Sequence, residues 1–368
     1  MGKLLPLTTA KCWSLDSTDK IQMLRTYHSQ NISILLLYLL VFVTNCNGPE
    51  PFIHKRSQFL MGTLVEIFIF EKDKDLAQLA LENAFQEFRR LEGLMSTHIP
   101  TSEISKINNS SGLQPVPVST EVFEVITRAL YWAKQTHGSF DISLAPILKL
   151  WNFHGDHHSL PDKNMIAQVL PKVDYRKIHL KNQTVFLIEK GMALHLGAIA
   201  KGYAVDRAIQ ILKDSKIHHG FINAGGDLKA FGRRPDQTAW KIGLQHPRKP
   251  ESILASFSLS AKAVATSGDY QKYFDQDGIR YHHILSPKTG YPVTGVMSAT
   301  VVTETVMDAD ALSTALFVMG VKKGLAFIDS LENTEGLIID QDKSLYLSKG
   351  MKSLADFSIH NLQKNDNP

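Results

Sequence analysis

The sequence predicts an α+β fold, in which a mixed sheet and helices form one compact body. Residues 62–70, GTLVEIFIF, are rich in β-branched and aromatic side chains, as is typical of a strand. Residues 74–94 carry apolar side chains at helical spacing, which predicts an amphipathic helix. Strand signals later follow one another as hairpins do, around residues 219–231, 240–245, 254–260 and 297–303. Because no β-α-β unit repeats, we favour α+β over a doubly wound parallel sheet.

The other elements follow from shorter signals. Ser119 is placed to cap a helix whose buried face carries Val122, Ile126, Ala129 and Ala133. Residues 183–196 carry strand signals, and a helix is expected at 200–212. The remaining signals predict helices at 308–319 and 321–330, then strands near 335–340 and 344–347.

The composition excludes several classes of protein. The 368 residues are 43% hydrophobic, which suffices for one large domain, and no solenoid repeat is present. The formal net charge is only +4 and no basic stripe with interleaved aromatic residues stands out, so we expect no nucleic acid partner. The two cysteines, Cys12 and Cys46, are too few for a disulfide framework. Neither lies in a motif described below, which argues against a thiol nucleophile or a zinc site.

The N-terminal residues predict export. Residues 32–43, ISILLLYLLVFV, form an uncharged apolar run that follows Lys20 and Arg25, as in a secretory signal. A membrane-spanning helix needs about 20 such residues, so this run is short for one. It leads into VTNC, which ends at Cys46 and resembles a bacterial lipobox, where the cysteine becomes lipidated. A non-cleaved anchor helix is the alternative, and Met23 is a more conventional start than Met1.

These features divide the chain into four parts. We expect a targeting segment at 1–46, a short tether at 47–56, an enzyme-sized body at 57–350 and a C-terminal tail at 351–368. Under either reading of the apolar run, the body is expected to lie outside the cytoplasmic membrane and to be tethered to it. The lipoprotein reading places it on the periplasmic side of the cell inner membrane.

The sharpest local motif is DADALSTALF at residues 308–317. Asp310 and Thr314 are four residues apart, so on a helix they lie on one face, one turn apart. A carboxylate and a hydroxyl are hard oxygen ligands of the kind that magnesium prefers. Asp308 is a competing ligand, and an acidic residue near a helix start is also a common cap or dipole partner.

Two glycine-containing turns could approach an anionic ligand. In LHLGAIAKGYAVD, residues 194–206, Gly197 and Gly202 bracket a turn into a helix, and Lys201 adds positive charge. The alternative for this turn is simple close packing between a strand and a helix. In FINAGGDLKAFG, residues 221–232, a glycine turn ends at Asp227 and permits close ligand approach. An ordinary hairpin explains that stretch equally well.

Two adjacent histidines precede a proline- and glycine-containing loop in YHHILSPKTGYPV, residues 281–293. Histidine is the natural general base for a hydroxyl nucleophile near neutral pH. Adjacent residues of a strand point to opposite faces, so we expect only one of the two histidines to enter a site. A structural role is the alternative for either histidine.

Taken together and in this order, the motifs resemble the ApbE family, the FAD:protein FMN transferases. The blocks that carry the resemblance are FLMGT (59–63), MSTHIPTSEISKIN (95–108), GSFDISLAPILKLW (138–151), LGAIAKGYAVD (196–206), NAGGD (223–227), TSGDY (266–270), HHILSPKTGYPV (282–293) and DADALSTALFVMG (308–320). The resemblance implies an α+β fold with the FAD site in a cleft, and it implies Mg²⁺ as cofactor with FAD as substrate.

The resemblance also implies roles for individual residues. The metal ligands fall on Asp310, Thr314 and the backbone carbonyl of Ala198. His283 is the candidate base. Flavin contacts fall on eight positions, namely Met61, His98, Ser139, Phe140, Asp141, His195, Lys201 and Ile284. Three positions depart from the family pattern, which often has Asp at His195, Asp at Ser286, and Tyr or Phe at His98.

The implied activity is the magnesium-dependent cleavage of FAD, with transfer of FMN to a Thr or Ser hydroxyl of another protein and release of AMP. The implied acceptors are subunits of membrane redox complexes, of the Na⁺-translocating NADH:quinone reductase or Rnf type. Two alternatives remain at this point. One is a magnesium-dependent FAD pyrophosphatase that yields free FMN and AMP, and the other is a non-catalytic periplasmic flavin-binding lipoprotein.

Overall fold

The computed structural model describes residues 52–151, 153, 160–259 and 261–360. Within them, sixteen strands combine with seven α-helices. In chain order the strands are β1 (Ile53–Leu60), β2 (Thr63–Phe70), β3 (Val116–Pro117), β4 (Ile178–Lys181), β5 (Thr184–Leu187), β6 (Gly220–Ala224), β7 (Asp227–Phe231), β8 (Trp240–His246), β9 (Lys249–Leu259), β10 (Ala263–Gly268), β11 (Tyr273–Gln276), β12 (Ile279–His282), β13 (Val296–Thr303), β14 (Glu335–Asp340), β15 (Leu345–Leu347) and β16 (Ser358–Ile359). The α-helices are α1 (Lys74–Met95), α2 (Glu103–Asn109), α3 (Thr120–Gln135), α4 (Ala145–Trp151), α5 (Lys163–Val169), α6 (Ala200–Asp214) and α7 (Val306–Ile328).

The largest sheet has eight strands in the order β1-β2-β6-β7-β10-β13-β14-β15. Every neighbouring pair in it is antiparallel. Two three-stranded sheets, β16-β9-β8 and β3-β5-β4, and the hairpin β11-β12 complete the strand pairing in the described residues. Antiparallel pairing between strands that helices interrupt is the α+β arrangement that the strand order predicted.

The large sheet separates two hydrophobic cores. On one face, alternate residues of β2 are fully buried with side chains of α1, among them Val65, Ile67, Ile69, Phe85 and Phe88. On the other face, the sheet packs against β8 and β9 through residues such as Leu228, Val264, Val302, Leu244 and Phe257. All eight residues of β13 are buried, as expected for a strand that both cores cover. A smaller third cluster joins α4 to the β11-β12 hairpin.

Helix α7 lies inside the core and packs against β10, β13, β14 and α6. Thr305 caps its N-terminus by accepting a hydrogen bond from the Asp308 N–H at 3.2 Å. Gly320, with φ 74° and ψ −178°, interrupts the helix at the break predicted between residues 319 and 321. Among the described residues, α7 is the one helix long and apolar enough to cross a membrane. Its packing against the sheet makes it a core helix.

Most predicted elements are confirmed, but the strand expected over 183–196 is shorter. Only Thr184–Leu187 is a strand, and the apolar side chains of Met192, Leu194 and Leu196 reach the core from a loop. The side-chain amide of Asn108 makes the two backbone hydrogen bonds that a neighbouring strand would otherwise make with Leu194. It accepts from the Leu194 N–H at 2.7 Å and donates to the Leu194 carbonyl at 3.0 Å.

The ordered body is wider than the predicted range 57–350. Strand β1 begins at Ile53, within the residues predicted as tether, and pairs with β2 along its full length. At the other end, Met351 is fully buried, and Ser358–Ile359 pairs with β9. The tail predicted at 351–368 therefore contributes to the fold as far as His360. The predicted targeting segment 1–46, including Cys46, lies outside the described residues.

Candidate active site

One cleft of about 740 Å³ brings the predicted site residues together. A volume of this size suits a cofactor-sized ligand, since such sites typically measure about 300–1,000 Å³. All twelve predicted positions line the cleft: Met61, His98, Ser139, Phe140, Asp141, His195, Ala198, Lys201, His283, Ile284, Asp310 and Thr314. The structure thus gathers residues from the β1-β2 hairpin, four loops and two helices at one place.

The β1-β2 hairpin forms part of the cleft wall. Its turn contains Met61 and Gly62, with φ angles of 51° and 73°. This left-handed conformation is uncommon for a residue with a side chain. A side chain from the adjacent helix holds it, because Glu92 Oε1 accepts a hydrogen bond from the Met61 N–H at 2.8 Å. The backbone of Met61 is therefore fixed at the cleft wall.

The loop at residues 138–141 is held by its own side chains. The Phe140 N–H donates to Thr136 Oγ1 at 3.1 Å. Asp141 Oδ1 accepts from the N–H and the hydroxyl of Ser143 at 2.8 and 2.6 Å, and its Oδ2 accepts from the Tyr175 N–H at 2.9 Å. Burial raises the pKa of Asp141, although these hydrogen bonds oppose the rise. The carboxylate of Asp141 is therefore occupied by hydrogen bonds from Ser143 and Tyr175, and these bonds fix the shape of the loop.

The two predicted histidine contacts also lie on ordered loops. The His98 N–H donates to Ser96 Oγ at 3.2 Å, just beyond the end of α1. The His195 N–H donates to the Ile142 carbonyl at 2.8 Å, and His195 Nδ1 accepts from the Gly197 N–H at 3.2 Å. The bond from His195 to Ile142 ties the turn before α6 to the 3-10 helix that Asp141 caps.

A partly buried cation lies between two carboxylates in the cleft. Lys201 Nζ is 3.1 Å from both carboxylate oxygens of Asp310 and 3.0 Å from Asp227 Oδ2. It also donates to the Gly197 carbonyl at 2.7 Å. Burial alone would lower the pKa of Lys201, but the two carboxylates outweigh burial and raise it. Burial, with repulsion from Asp310, raises the pKa of Asp227.

The predicted metal ligands are close to this cation. Thr314 Oγ1 lies 3.1 Å from Ser267 Oγ, and Asp310 Oδ2 accepts from the Gly202 N–H at 3.2 Å. Ala198 lines the cleft just before α6 begins. Within the described residues, no group of three His, Cys, Asp or Glu side chains suits a metal. The available donors are instead a carboxylate, a hydroxyl and a carbonyl, which is the hard oxygen chemistry that suits magnesium.

Asp308, the competing metal ligand, lies outside the cleft. It accepts hydrogen bonds from Arg128 at 2.6 and 2.8 Å and from the Trp132 indole at 2.6 Å. Burial would raise the pKa of Asp308, but the bonds from Arg128 and Trp132 prevail and hold it below its ordinary value. Asp308 joins α7 to α3 and is not available to a ligand in the cleft.

The two adjacent histidines point in different directions, as strand alternation predicts. His282 is buried, donates from Nε2 to the Val293 carbonyl at 2.8 Å, and stacks edge-on against Phe317. His283 lines the cleft, and its Nδ1 donates to the Lys272 carbonyl at 3.3 Å. That bond leaves Nε2 as the unprotonated nitrogen. Burial, together with the charge of Lys272, lowers the pKa of His283 well below its ordinary value.

Three residues outside the predicted site positions contribute charge or contacts within the cleft. Asp227 begins β7 and pairs with Lys201, and Ser267 contacts Thr314. Lys272 lines the cleft, and no carboxylate of the described residues pairs with it. Partial burial and the nearby charge of Lys201 lower the pKa of Lys272. The first two lie in the NAGGD and TSGDY blocks, so their motifs could have indicated them, whereas no sequence signal marks Lys272.

Known proteins are similar to this chain in sequence and in fold. The sequence model of the ApbE family matches residues 61–338. An FAD:protein FMN transferase from Treponema pallidum is 31% identical over 340 residues, covering 86% of this chain and 93% of that protein. One from Klebsiella pneumoniae is 34% identical over 302 residues, covering 80% of this chain and 92% of that protein.

Solved structures of ApbE proteins have the same fold as this chain. The crystal structure of the ApbE protein from Thermotoga maritima superposes with a TM-score of 0.77 at 33% identity, covering 82% of this chain and 99% of that chain. The flavin transferase ApbE from Vibrio cholerae gives 0.75 at 27% identity, covering 83% and 99%. These matches confirm the predicted α+β fold. By its sequence, its fold and the residues gathered in its cleft, the chain belongs to the ApbE family.

Proposed function

We propose that this chain is a magnesium-dependent flavin transferase. It cleaves FAD, attaches FMN through a phosphoester bond to a Thr or Ser hydroxyl of an acceptor protein, and releases AMP. The names of its relatives support FAD as the substrate and a protein as the acceptor. One observation carries the proposal. A single cleft is lined by Lys201 and by the three predicted metal ligands, Asp310, Thr314 and Ala198, and Lys201 contacts Asp310.

The residues present fit a magnesium ion. Asp310, Thr314 and the Ala198 carbonyl would hold it, and when bound it supplies charge neutralisation at the phosphates. Two observations support the fit. The Lys201 ammonium already lies between two carboxylates, where a positive charge is needed. Within the described residues, the buried Asp227 Oδ2 has no hydrogen-bond donor besides that ion pair.

The same end of the cleft suits a pyrophosphate. Helix α6 begins at Ala200 without a side-chain cap, and the positive end of its dipole favours an anion at this point. Lys201 and Lys272 both line the cleft and add positive charge. Phosphoryl transfer depends mainly on positioning and charge stabilisation, which such groups provide.

His283 is the proposed base. Its neutral Nε2 can accept the proton of the acceptor hydroxyl, because Nδ1 is held by the Lys272 carbonyl. The hydroxyl oxygen then bonds to the FMN-side phosphorus. The bond from that phosphorus to the bridging oxygen breaks, and AMP leaves with the oxygen and the bonding electron pair. His283→Ala should slow transfer and leave FAD affinity nearly unchanged, and loss of FAD binding would make its role structural.

The activity is tested by detecting flavin that has become attached to an acceptor protein. The purified chain is incubated with FAD, Mg²⁺ and candidate acceptor subunits, and in-gel flavin fluorescence is recorded. We expect Asp310→Asn to abolish the fluorescent acceptor band. Asp308→Asn is the matched control, because it makes the same change two residues away on the same helix but outside the cleft. Full transfer by Asp310→Asn would remove Asp310 from the metal site.

The same experiment separates the alternatives. Free FMN with AMP, and no flavin on protein, would identify an FAD pyrophosphatase with water as the acceptor. FAD binding without AMP release, with or without Mg²⁺, would identify a flavin-binding protein. The Asp310/Thr314 pair favours the enzymes, since storage of a flavin requires no metal.

We further propose that the enzyme acts at the periplasmic face of the inner membrane, anchored through a lipid on Cys46. Its acceptors are then subunits of membrane redox complexes, of the Na⁺-translocating NADH:quinone reductase or Rnf type. The signal-like run at 32–43 and the VTNC sequence support this location. Cys46→Ala should release the protein into the soluble periplasmic fraction, and unchanged membrane association would refute the lipid anchor.

A further inference from the structure

Lys201, Asp227 and Asp310 form an ionic triad at the base of the cleft. Asp227 and Asp310 are each 3% exposed. The lysine reaches both, and with one cation for two carboxylates the triad carries a net negative charge when both are ionised. The three residues come from β7, α6 and α7, so tertiary structure assembles the triad.

Both oxygens of Asp310 are already engaged by the lysine. Each lies 3.1 Å from Lys201 Nζ, and Oδ2 also accepts from the Gly202 N–H. Magnesium requires its oxygen ligands at about 2.0–2.1 Å. An ammonium and a divalent cation repel each other strongly at such separations. A metal on Asp310 therefore requires the ammonium of Lys201 to move away.

Asp227 provides a place for the displaced ammonium. Its Oδ2 lies 3.0 Å from Lys201 Nζ, and it is otherwise a buried oxygen without a hydrogen-bond donor in the described residues. Asp227 is the second carboxylate in contact with this lysine. A lysine released from Asp310 can thus keep a charged partner without leaving the cleft.

We propose that Lys201 is an internal counter-ion that takes the place of the metal charge in the metal-free protein. Asp227 is the positioning residue that retains Lys201 when the metal binds Asp310. The inference rests on the proposed metal site of the transferase. It assigns Asp227 a role through Lys201 rather than as a metal ligand.

The test measures Mn²⁺ binding without FAD, by the electron paramagnetic resonance signal of free Mn²⁺. Lys201→Met should bind Mn²⁺ about tenfold more tightly than the wild type, because a competing unit charge is removed from Asp310. Asp227→Asn should bind it about tenfold more weakly, because Lys201 then has Asp310 as its one carboxylate partner. Lys229→Met, a lysine change on β7 outside the cleft, should have no effect.

The double variant Lys201→Met/Asp227→Asn distinguishes the two possible roles of Asp227. If Asp227 acts through Lys201, the double variant binds Mn²⁺ about as tightly as Lys201→Met. If the loss caused by Asp227→Asn persists without Lys201, Asp227 is a direct ligand and the inference is overturned. Unchanged or weaker binding by Lys201→Met also overturns it.

Folding of each variant is checked first by circular dichroism. If Lys201→Met does not fold, the double variant compared with Asp227→Asn tests the same effect of the lysine charge. Transfer activity plays no part in the readout. Mn²⁺ affinities that do not respond to Lys201 refute this inference alone, whereas no Mn²⁺ binding by any form refutes the proposed metal site as well.

Discussion

Gly202 of α6 lies directly against the first turn of α7, and these two helices build the site. A Cβ added to it would lie 2.2 Å from the Val306 carbonyl oxygen and 2.7 Å from Met307 Cα. These atoms belong to the first turn of α7, which carries Asp310 and Thr314 farther along. Gly202→Ala therefore tests whether the site depends on how closely α6 approaches α7.

The size of the effect follows from these distances. Ordinary contact begins at 3.4 Å, so the Val306 oxygen must retreat by about 1.2 Å. Overpacking costs about 1–3 kcal/mol, and a contact with backbone that cannot rotate away belongs at the upper end. The higher helix propensity of alanine offsets about 1 kcal/mol of this cost. We expect a net loss of about 2 kcal/mol in the free energy of unfolding.

The same displacement should impair the reaction. A misplacement of about 1 Å in a catalytic site can cost about a hundredfold in rate. We therefore expect Gly202→Ala to lose about a hundredfold in FMN transfer under conditions where it is still folded.

The assay combines urea unfolding with in-gel flavin transfer. Gly93→Ala is the control, because Gly93 also lies within a helix and a Cβ there meets nothing within 4 Å. That variant should gain up to about 1 kcal/mol and transfer FMN normally. The reasoning is refuted if Gly202→Ala is as stable as the wild type and transfers FMN at the same rate.

Three further variants test other contacts. Asp308→Asn should lose about 1–3 kcal/mol at pH 7, since it removes one partner of a partly exposed ion pair. The pKa of Asp308 is held below its unfolded value of 3.8, so its contribution is complete above pH 3.8 and is lost as the pH falls through the lower, folded value. The wild type should thus lose more stability than the variant on acidification, and parallel urea midpoints would contradict this. Lys272→Met should weaken FAD binding about tenfold, measured by flavin fluorescence titration, because a cleft cation is removed. An unchanged affinity would exclude Lys272 from the phosphate site. Glu92→Ala should cost about 1–2 kcal/mol, because the Met61 N–H loses its acceptor. FAD affinity should fall with it, and normal values of both would show that the turn needs no such support.

The elements with strong periodicity could be predicted from the sequence, and the others depend on tertiary contacts. Helix α1 was predicted because its apolar spacing is regular. Strand β1, IHKRSQFL, was missed because charged residues interrupt its pattern. The structure explains the pattern, since Arg56 lies over the ring of Phe85 and Lys55 lies over the ring of Phe68. Long basic side chains there cover apolar surface, which composition does not reveal.

In the site, too, some features could be predicted from the sequence and others depend on tertiary contacts. All twelve predicted positions line one cleft. The family resemblance assigned the metal to Asp310, whereas the residue spacing alone did not choose between Asp308 and Asp310. Two residues along a helix differ by about 200° in direction, so the two carboxylates had to face different neighbours. Which of them faces the cleft depends on Arg128 and Trp132 of α3, more than 170 positions away in the sequence. The pairing of Lys201 with Asp310 joins residues 109 positions apart in the sequence, so it also depends on tertiary structure.

Helix α7 carries the proposed metal-binding pair and is also embedded in the core. Asp310 and Thr314 are flanked by fully buried residues such as Ala309, Ala311 and Ala315. The amide hydrogens of this stretch should exchange with solvent mainly when the whole molecule opens. A ligand held by these residues binds the folded state alone, so it should slow exchange throughout the large sheet as well as beside the cleft. Substrate occupancy should therefore protect the entire protein against proteolysis, and the enzyme should be longest-lived where FAD is plentiful.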